Sequence, residues 1–218
     1  MNAPAASKQV LRLHVDGLPA KSVLELPAAP RFFFVRDGDA IVRCNGAAAA
    51  LGTASGLQST QACQVEGGAG GATLLRWELV DAGTPAWGGP DSRELIARGV
   101  DLPEAGGYLM RADRVDFPLG GIAYTHTHRG PGIRCLLRGT IRVEAAGEVH
   151  ELGAGGAWFE AGPDPVLAMA SASEITGFAR VMILPRALKG RSSISYVKPE
   201  DADKPKTQKY QVFADEFI

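Results

Sequence analysis

The stretch GGIAYTHTHRGPGIRCLLRGTIRVE, residues 120–144, decides the fold. Two glycines open it and two histidines stand one residue apart near its centre. Gly139 then divides two apolar runs of strand length, Ile133 to Leu137 and Thr140 to Glu144. On a strand, residues i and i+2 point to the same face. His126 and His128 can therefore present two imidazoles to one metal ion.

Outward from this stretch, apolar runs of strand length recur with turn residues between them. Examples are RFFFVR (31–36), AIVR (40–43), TLLRWELV (73–80), AWFE (157–160) and FARVMIL (178–184). Asp37-Gly38 and Asn45-Gly46 are hairpin signals, because both residue types tolerate positive φ. With 27 glycines and 14 prolines, the chain favours short strands and many turns over long helices. Only DSRELIAR (91–98) reads as a helix, with Asp91 as its N-cap.

Two regions match each other. At an offset of 101, Gly38 falls on Gly139, Val42 on Val143, Gly46 on Gly147, Leu51 on Leu152 and Gly52 on Gly153. Each glycine sits at a turn, where the backbone needs it. An apolar strand follows both segments, TLLRWELV in one and FARVMIL in the other. We read this as a duplicated β-unit.

The spacing around the histidines resembles the first motif of the cupin superfamily: a glycine, five residues, HxH, a glutamate a few residues on, and a closing glycine. Gly120, His126, His128 and Gly139 fit that pattern. Together with the repeat, the chain is similar to bicupins. The resemblance implies an all-β protein of tandem cupin-type double-stranded β-helix (jelly-roll) barrels. The expected organisation is a degenerate N-terminal barrel over 8–84 and a connection with a short helix over 85–108. A C-terminal barrel carrying HxH over 109–186 and an extension over 187–218 complete it.

The departures bear on chemistry. Gly132 occupies the glutamate position. The second motif, starting near Gly155, places Ala161 at its proline, Pro163 at its glycine and Val166 at its histidine. No histidine follows His150, so two of the family's four ligands are missing. Glu160, on the AWFE strand, is the candidate to complete a His126/His128/Glu160 set. Two histidines and one carboxylate are a common ligand set for non-haem iron. Trp158 shares its face and would wall the pocket, and Tyr124 in the HxH motif is taken as a further ligand contact. Arg134, two residues past Gly132, is expected to pair with Glu160, to bind an anionic ligand by a bidentate contact, or to face solvent. The same offset puts Glu25 opposite His126 and Pro27 opposite His128, so the first repeat adds no ligands. His14 and His150 lie outside the motif and are expected at the surface.

Composition narrows the function classes. A net charge of -1 gives no basic excess for nucleic acid. No window is apolar enough for a membrane helix, and residues 1–8 lack the pattern of a secretory signal. The three cysteines, Cys44, Cys63 and Cys135, are odd in number and form no CxxC pair. We expect no disulfide framework and a reducing, cytoplasmic location. Edge strands would invite a homodimer.

Two functions follow from the resemblance. One is a divalent metal (iron, manganese, nickel or zinc) enzyme of dioxygenase type acting on a small organic acid. The other is a metal-free cupin that only binds a small anionic molecule, with Arg134 as its anchor.

Overall fold

The computed structural model describes residues 8–102 and 106–218. The expectation about a secretory signal falls largely on residues 1–7, outside the described ones. The chain divides into two compact units, up to residue 103 and from residue 104 on. Each is built almost entirely of strands.

The first unit holds β1 (Gln9–Leu18), β2 (Val23–Leu26), β3 (Arg31–Cys44), β4 (Ala47–Gly52), β5 (Gly56–Ser59), β6 (Cys63–Asp81) and β7 (Ser92–Val100). They form one sheet in the order β4-β3-β6-β1-β7, with β2 joining β6 and β5 joining β3. The Asn45-Gly46 turn between β3 and β4 has both φ angles positive, 47° and 78°, as an I′ hairpin requires. Its counterpart at an offset of 101, Ala146-Gly147, repeats the pattern at 51° and 80°.

One end of this unit's core is charged. Arg76 forks onto Asp16 at 2.6 and 3.0 Å and reaches Glu78 at 2.7 Å, while Arg31 donates to Glu78 at 3.0 Å. All four side chains are fully buried. Burial of ions at this depth is tolerated only because each charge is paired. His14 lies in the same region and is 2% exposed, with Glu94 3.7 Å from its Nε2. The expectation of a surface position is thus corrected for His14. His150 does lie at the surface, beside Glu148.

Two further expectations are corrected. Residues 91–98 are not a helix: β7 pairs with β1 from Gln9↔Val100 to Asp16↔Ser92. The polar, helix-forming composition is overridden by the free edge of β1, a tertiary effect that local propensity does not carry. Cys44 and Cys63 are joined by a disulfide. They lie directly opposite on β3 and β6, with Cα atoms 4.5 Å apart, so register and not sequence spacing brings them together. That pairing removes the ground for inferring a reducing compartment. Cys135 is buried and free. A cross-link across 19 residues is expected to stabilise by about 3 kcal/mol through the unfolded state. Cys63→Ser should lower unfolding free energy by about that amount in urea. Thiol titration of the denatured wild type should find one thiol before reduction and three after.

The second unit holds β8 (Tyr108–Phe117), β9 (Ile122–His128), β10 (Gly132–Arg138), β11 (Thr140–Ala145), β12 (Glu148–Gly153), β13 (Ala157–Glu160), β14 (Val166–Ala170), β15 (Thr176–Pro185), β16 (Ile194–Tyr196), a short helix α1 (Pro199–Ala202) and β17 (Lys209–Phe217). Two five-stranded sheets result, β13-β10-β15-β8-β17 and β12-β11-β14-β9-β16. Their facing residues share one core, in which Val115, Leu136 and Phe178 of one sheet meet Val143, Val166 and Ala168 of the other. Gly139 alone separates β10 from β11, and so carries the chain between the sheets. Its φ is +73°, and a Cβ there would meet the Ile175 carbonyl oxygen at 2.6 Å. The YQVF run pairs with β8 as part of β17. Among the described residues no helix is long and apolar enough to cross a membrane.

Candidate metal centre

β9 brings His126 and His128 to the inner face of the second unit, 6% and 2% exposed. Its ladder with β14 steps from Val166↔His126 to Ala168↔Ala123, so β9 carries one extra residue there. Such a bulge breaks the two-residue alternation. Ala123 and His126 consequently both line the cavity, and Tyr124 does not. The Tyr124 ring lies instead under the Lys204 ammonium, 4.5 Å away. The expectation that Tyr124 touches a ligand is corrected on this ground; its contribution is the carbonyl that accepts from His126 Nδ1 at 2.7 Å.

That hydrogen bond fixes the proton positions. A carbonyl only accepts, so Nδ1 of His126 carries the hydrogen and its Nε2 holds a lone pair. The 3.2 Å contact between the two Nε2 atoms then needs His128 as donor. Nδ1 of His128 is left to accept from the Ser193 hydroxyl at 3.3 Å. Burial lowers the pKa of both imidazoles, and Arg134 and Arg180 push His128 further in the same direction. Both rings are neutral at neutral pH, which is the form that ligates metal.

Glu160 arrives from β13, directly across the ladder from Gly132 of β10. A carboxylate thus stands one strand sideways from the motif position that Gly132 occupies. Gly132 has no room for a side chain: a Cβ would meet the Val181 carbonyl oxygen at 2.6 Å and Arg134 Nη1 at 3.0 Å. Arg134, 1% exposed, fills that space. It donates to the Gly132 carbonyl at 2.7 Å and lies 2.5 Å from Glu160 Oε2. Burial pushes its guanidinium down to about 10, with Glu160 opposing, so it stays charged. Trp158 Nε1 donates to the other carboxylate oxygen at 2.9 Å and walls the cavity. Val166, at the resembled motif's second histidine, is buried opposite His126.

Three buried groups converge on one place. The ligand atoms of His126, His128 and Glu160 lie within 4.8 Å of one another. His128 Nε2 is 3.6 Å from Glu160 Oε2. An ion bound at about 2.1 Å by N and O ligands needs neighbouring ligand atoms about 3.0–3.4 Å apart, so the three side chains must draw in to hold one. Oε2 lies against the Arg134 guanidinium, so a cation held there would share this oxygen with Arg134. The cavity measures about 30 Å³, room for about one or two water-sized groups.

Three residues of this region were not singled out from the sequence. Arg180 of β15 forks onto Asp113 of β8 at 2.8 and 3.1 Å and lines the cavity. An arginine inside the apolar run FARVMIL is a signal in itself, and Arg76 in TLLRWELV repeats it with its own aspartate partner. Ser193 lies 65 residues from His128 and no sequence pattern announces it.

No family model matches the sequence, and no curated protein does. Solved structures match over most of the chain. Salicylate 1,2-dioxygenase from Pseudaminobacter salicylatoxidans is similar over 99% of this chain and 78% of its own, with TM-score 0.58 and 11% identity. A glyoxylate-induced protein from Pseudomonas aeruginosa covers 85% and 77%, with TM-score 0.58 and 16% identity. AerE from Microcystis aeruginosa covers 81% and 88%, with TM-score 0.57 and 11% identity. The chain has a cupin fold. Identity this low carries the fold and no substrate. Within the second unit, the two histidines stand on β9 and Glu160 on β13.

Proposed function

We propose that this cupin holds one divalent metal ion on His126, His128 and Glu160 and uses it in an oxygen-dependent reaction on a small organic acid. The observation that carries the reading is the convergence of three buried ligand atoms within 4.8 Å. Two histidines and one carboxylate with open positions are the ligand set of non-haem oxygenases. The similar salicylate dioxygenase, whose structure has been solved with gentisate, supports the same reaction class.

An ion bound there would supply Lewis-acid polarisation and, for iron or manganese, electron transfer to dioxygen. The protein's own groups prepare the place. The Tyr124 carbonyl and Ser193 orient the two rings, as outer hydrogen bonds do for metal ligands generally. To ligate through Nε2, His128 must move its proton to Nδ1, and Ser193 can accept it in a hydrogen bond. Trp158 fixes one oxygen of Glu160, and Arg134 balances the carboxylate's charge. Val115, Phe117 and Phe178 supply the cavity's apolar wall. The competing role for Arg134, anchoring an anion, would require a ligand to displace Glu160 from it.

Elemental analysis of gently purified protein tests this. Wild type should carry near one metal per chain and His126→Ala/His128→Ala none. Wild type that stays metal-free after addition of iron, manganese, nickel and zinc would sink the proposal.

A further inference from the structure

The metal cavity is too small for an organic substrate, but it adjoins a larger one of about 490 Å³. Arg180, Ile194, Tyr196 and Tyr210 line both. The larger chamber is framed by β8, β15, β16, β17 and the loop before β16.

Its charges do not cancel. Arg111 is matched by Asp215 at 2.9 and 3.1 Å, and Arg180 by Asp113. Two more cations line the chamber without a carboxylate partner, Arg191 and Lys206. The Lys206 ammonium is held by the carbonyls of Asp201, Ala202 and Lys204 at 2.6, 2.8 and 2.6 Å, so its charge is fixed but its donors are spent. Arg191 is anchored by its backbone, whose carbonyl accepts from Arg111 and whose N–H donates to Leu188. Its guanidinium has no partner among the described residues. The hydroxyls of Tyr196 and Tyr210 are likewise without a hydrogen bond among those residues. Desolvation holds both phenols above their ordinary range, so they remain donors at neutral pH.

A chamber with surplus positive charge, an exposed unpaired guanidinium and two phenol rings, one faced by Lys206 at 4.4 Å and the other by Arg180 at 5.8 Å, suits one ligand chemistry. We propose that it binds a small organic anion, with the carboxylate on Arg191 and the apolar body against Tyr196 and Tyr210. A guanidinium forks onto a carboxylate with two parallel hydrogen bonds, and a cleft of one sign concentrates ions of the other. The site stands without the metal. Where the metal reading holds, it is the antechamber in which an acid substrate is captured beside the centre.

Calorimetric titration of the full chain, kept metal-free with a chelator, tests it with three probes: cyclohexanecarboxylate, its neutral amide and inorganic phosphate. The carboxylate should bind at least tenfold more tightly than the amide or phosphate. Arg191→Ala should weaken it about tenfold and Arg191→Lys less, with unchanged melting temperature because Arg191 is exposed. Tyr196→Phe should weaken it by a smaller factor. The His126→Ala/His128→Ala variant should bind it like wild type, which separates this site from the metal reading. No binding by wild type, equal binding of acid and amide, equal binding of phosphate, or an unaffected Arg191→Ala would each overturn the assignment.

Discussion

Glu160→Ala is expected to empty the metal centre and to destabilise the protein by about 3–5 kcal/mol, the cost of stranding a buried partner ion. The two effects have different origins. Metal retention fails because two imidazoles alone make a poor site. Stability falls because Arg134, 1% exposed, loses the carboxylate that lies 2.5 Å from it. A second substitution separates them. Arg134→Met in the Glu160→Ala background should recover most of the stability, since an apolar side chain of similar length fills the space left beside Gly132. It should recover no metal. Urea unfolding of the single and double variants, beside elemental analysis of each, reads both quantities. A single variant as stable as wild type would mean that Arg134 finds water or another partner.

Asp16→Ala should cost the first unit a similar amount, about 3–5 kcal/mol. Asp16 neutralises Arg76 through a two-point contact with neither side chain exposed to solvent. Its removal leaves three charges, Arg76, Glu78 and Arg31, with an unbalanced positive sum in a place that water does not reach. Asp16→Leu with Arg76→Met is expected to be much milder, because it removes both ions of a pair. Urea unfolding checks the ranking, and the metal content of the folded Asp16→Ala protein should equal that of wild type. Loss of metal in that variant would contradict the assignment of the centre to the second unit alone.

The barrel fold was legible because its marks are local. Asn45-Gly46 and Gly139 demand particular backbone angles, and the histidine pair needs only strand alternation. That Glu160 and Trp158 share a face followed from the same alternation, and both line one cavity. What escaped depends on pairing between distant strands. Cys44 and Cys63 are neighbours only through the β3–β6 register, and β7 is a strand only because β1 offers it an edge. Tyr124 was misplaced by one inserted residue, which moves a side chain to the other face and leaves no trace in composition. The sideways position of the carboxylate is of the same kind. Gly132 leaves the motif's glutamate position without a side chain, and only the ladder shows Glu160 beside it.

The pairing of β16 with β9 and of β17 with β8 has a consequence for the order in which a ribosome makes this molecule. The first unit has every strand of its sheet once residue 100 has emerged, so it can fold while translation continues. The second unit cannot. Arg111 waits for Asp215, 104 residues later, and His128 waits for Ser193. A nascent chain extended only to residue 185 displays both histidines and Glu160 but lacks the strand that covers β9. Such long-range closure is slow, and until it happens two sheet edges lie open to other chains. The hydrogen bond from Ser193 that orients His128 is therefore made late in the life of the polypeptide.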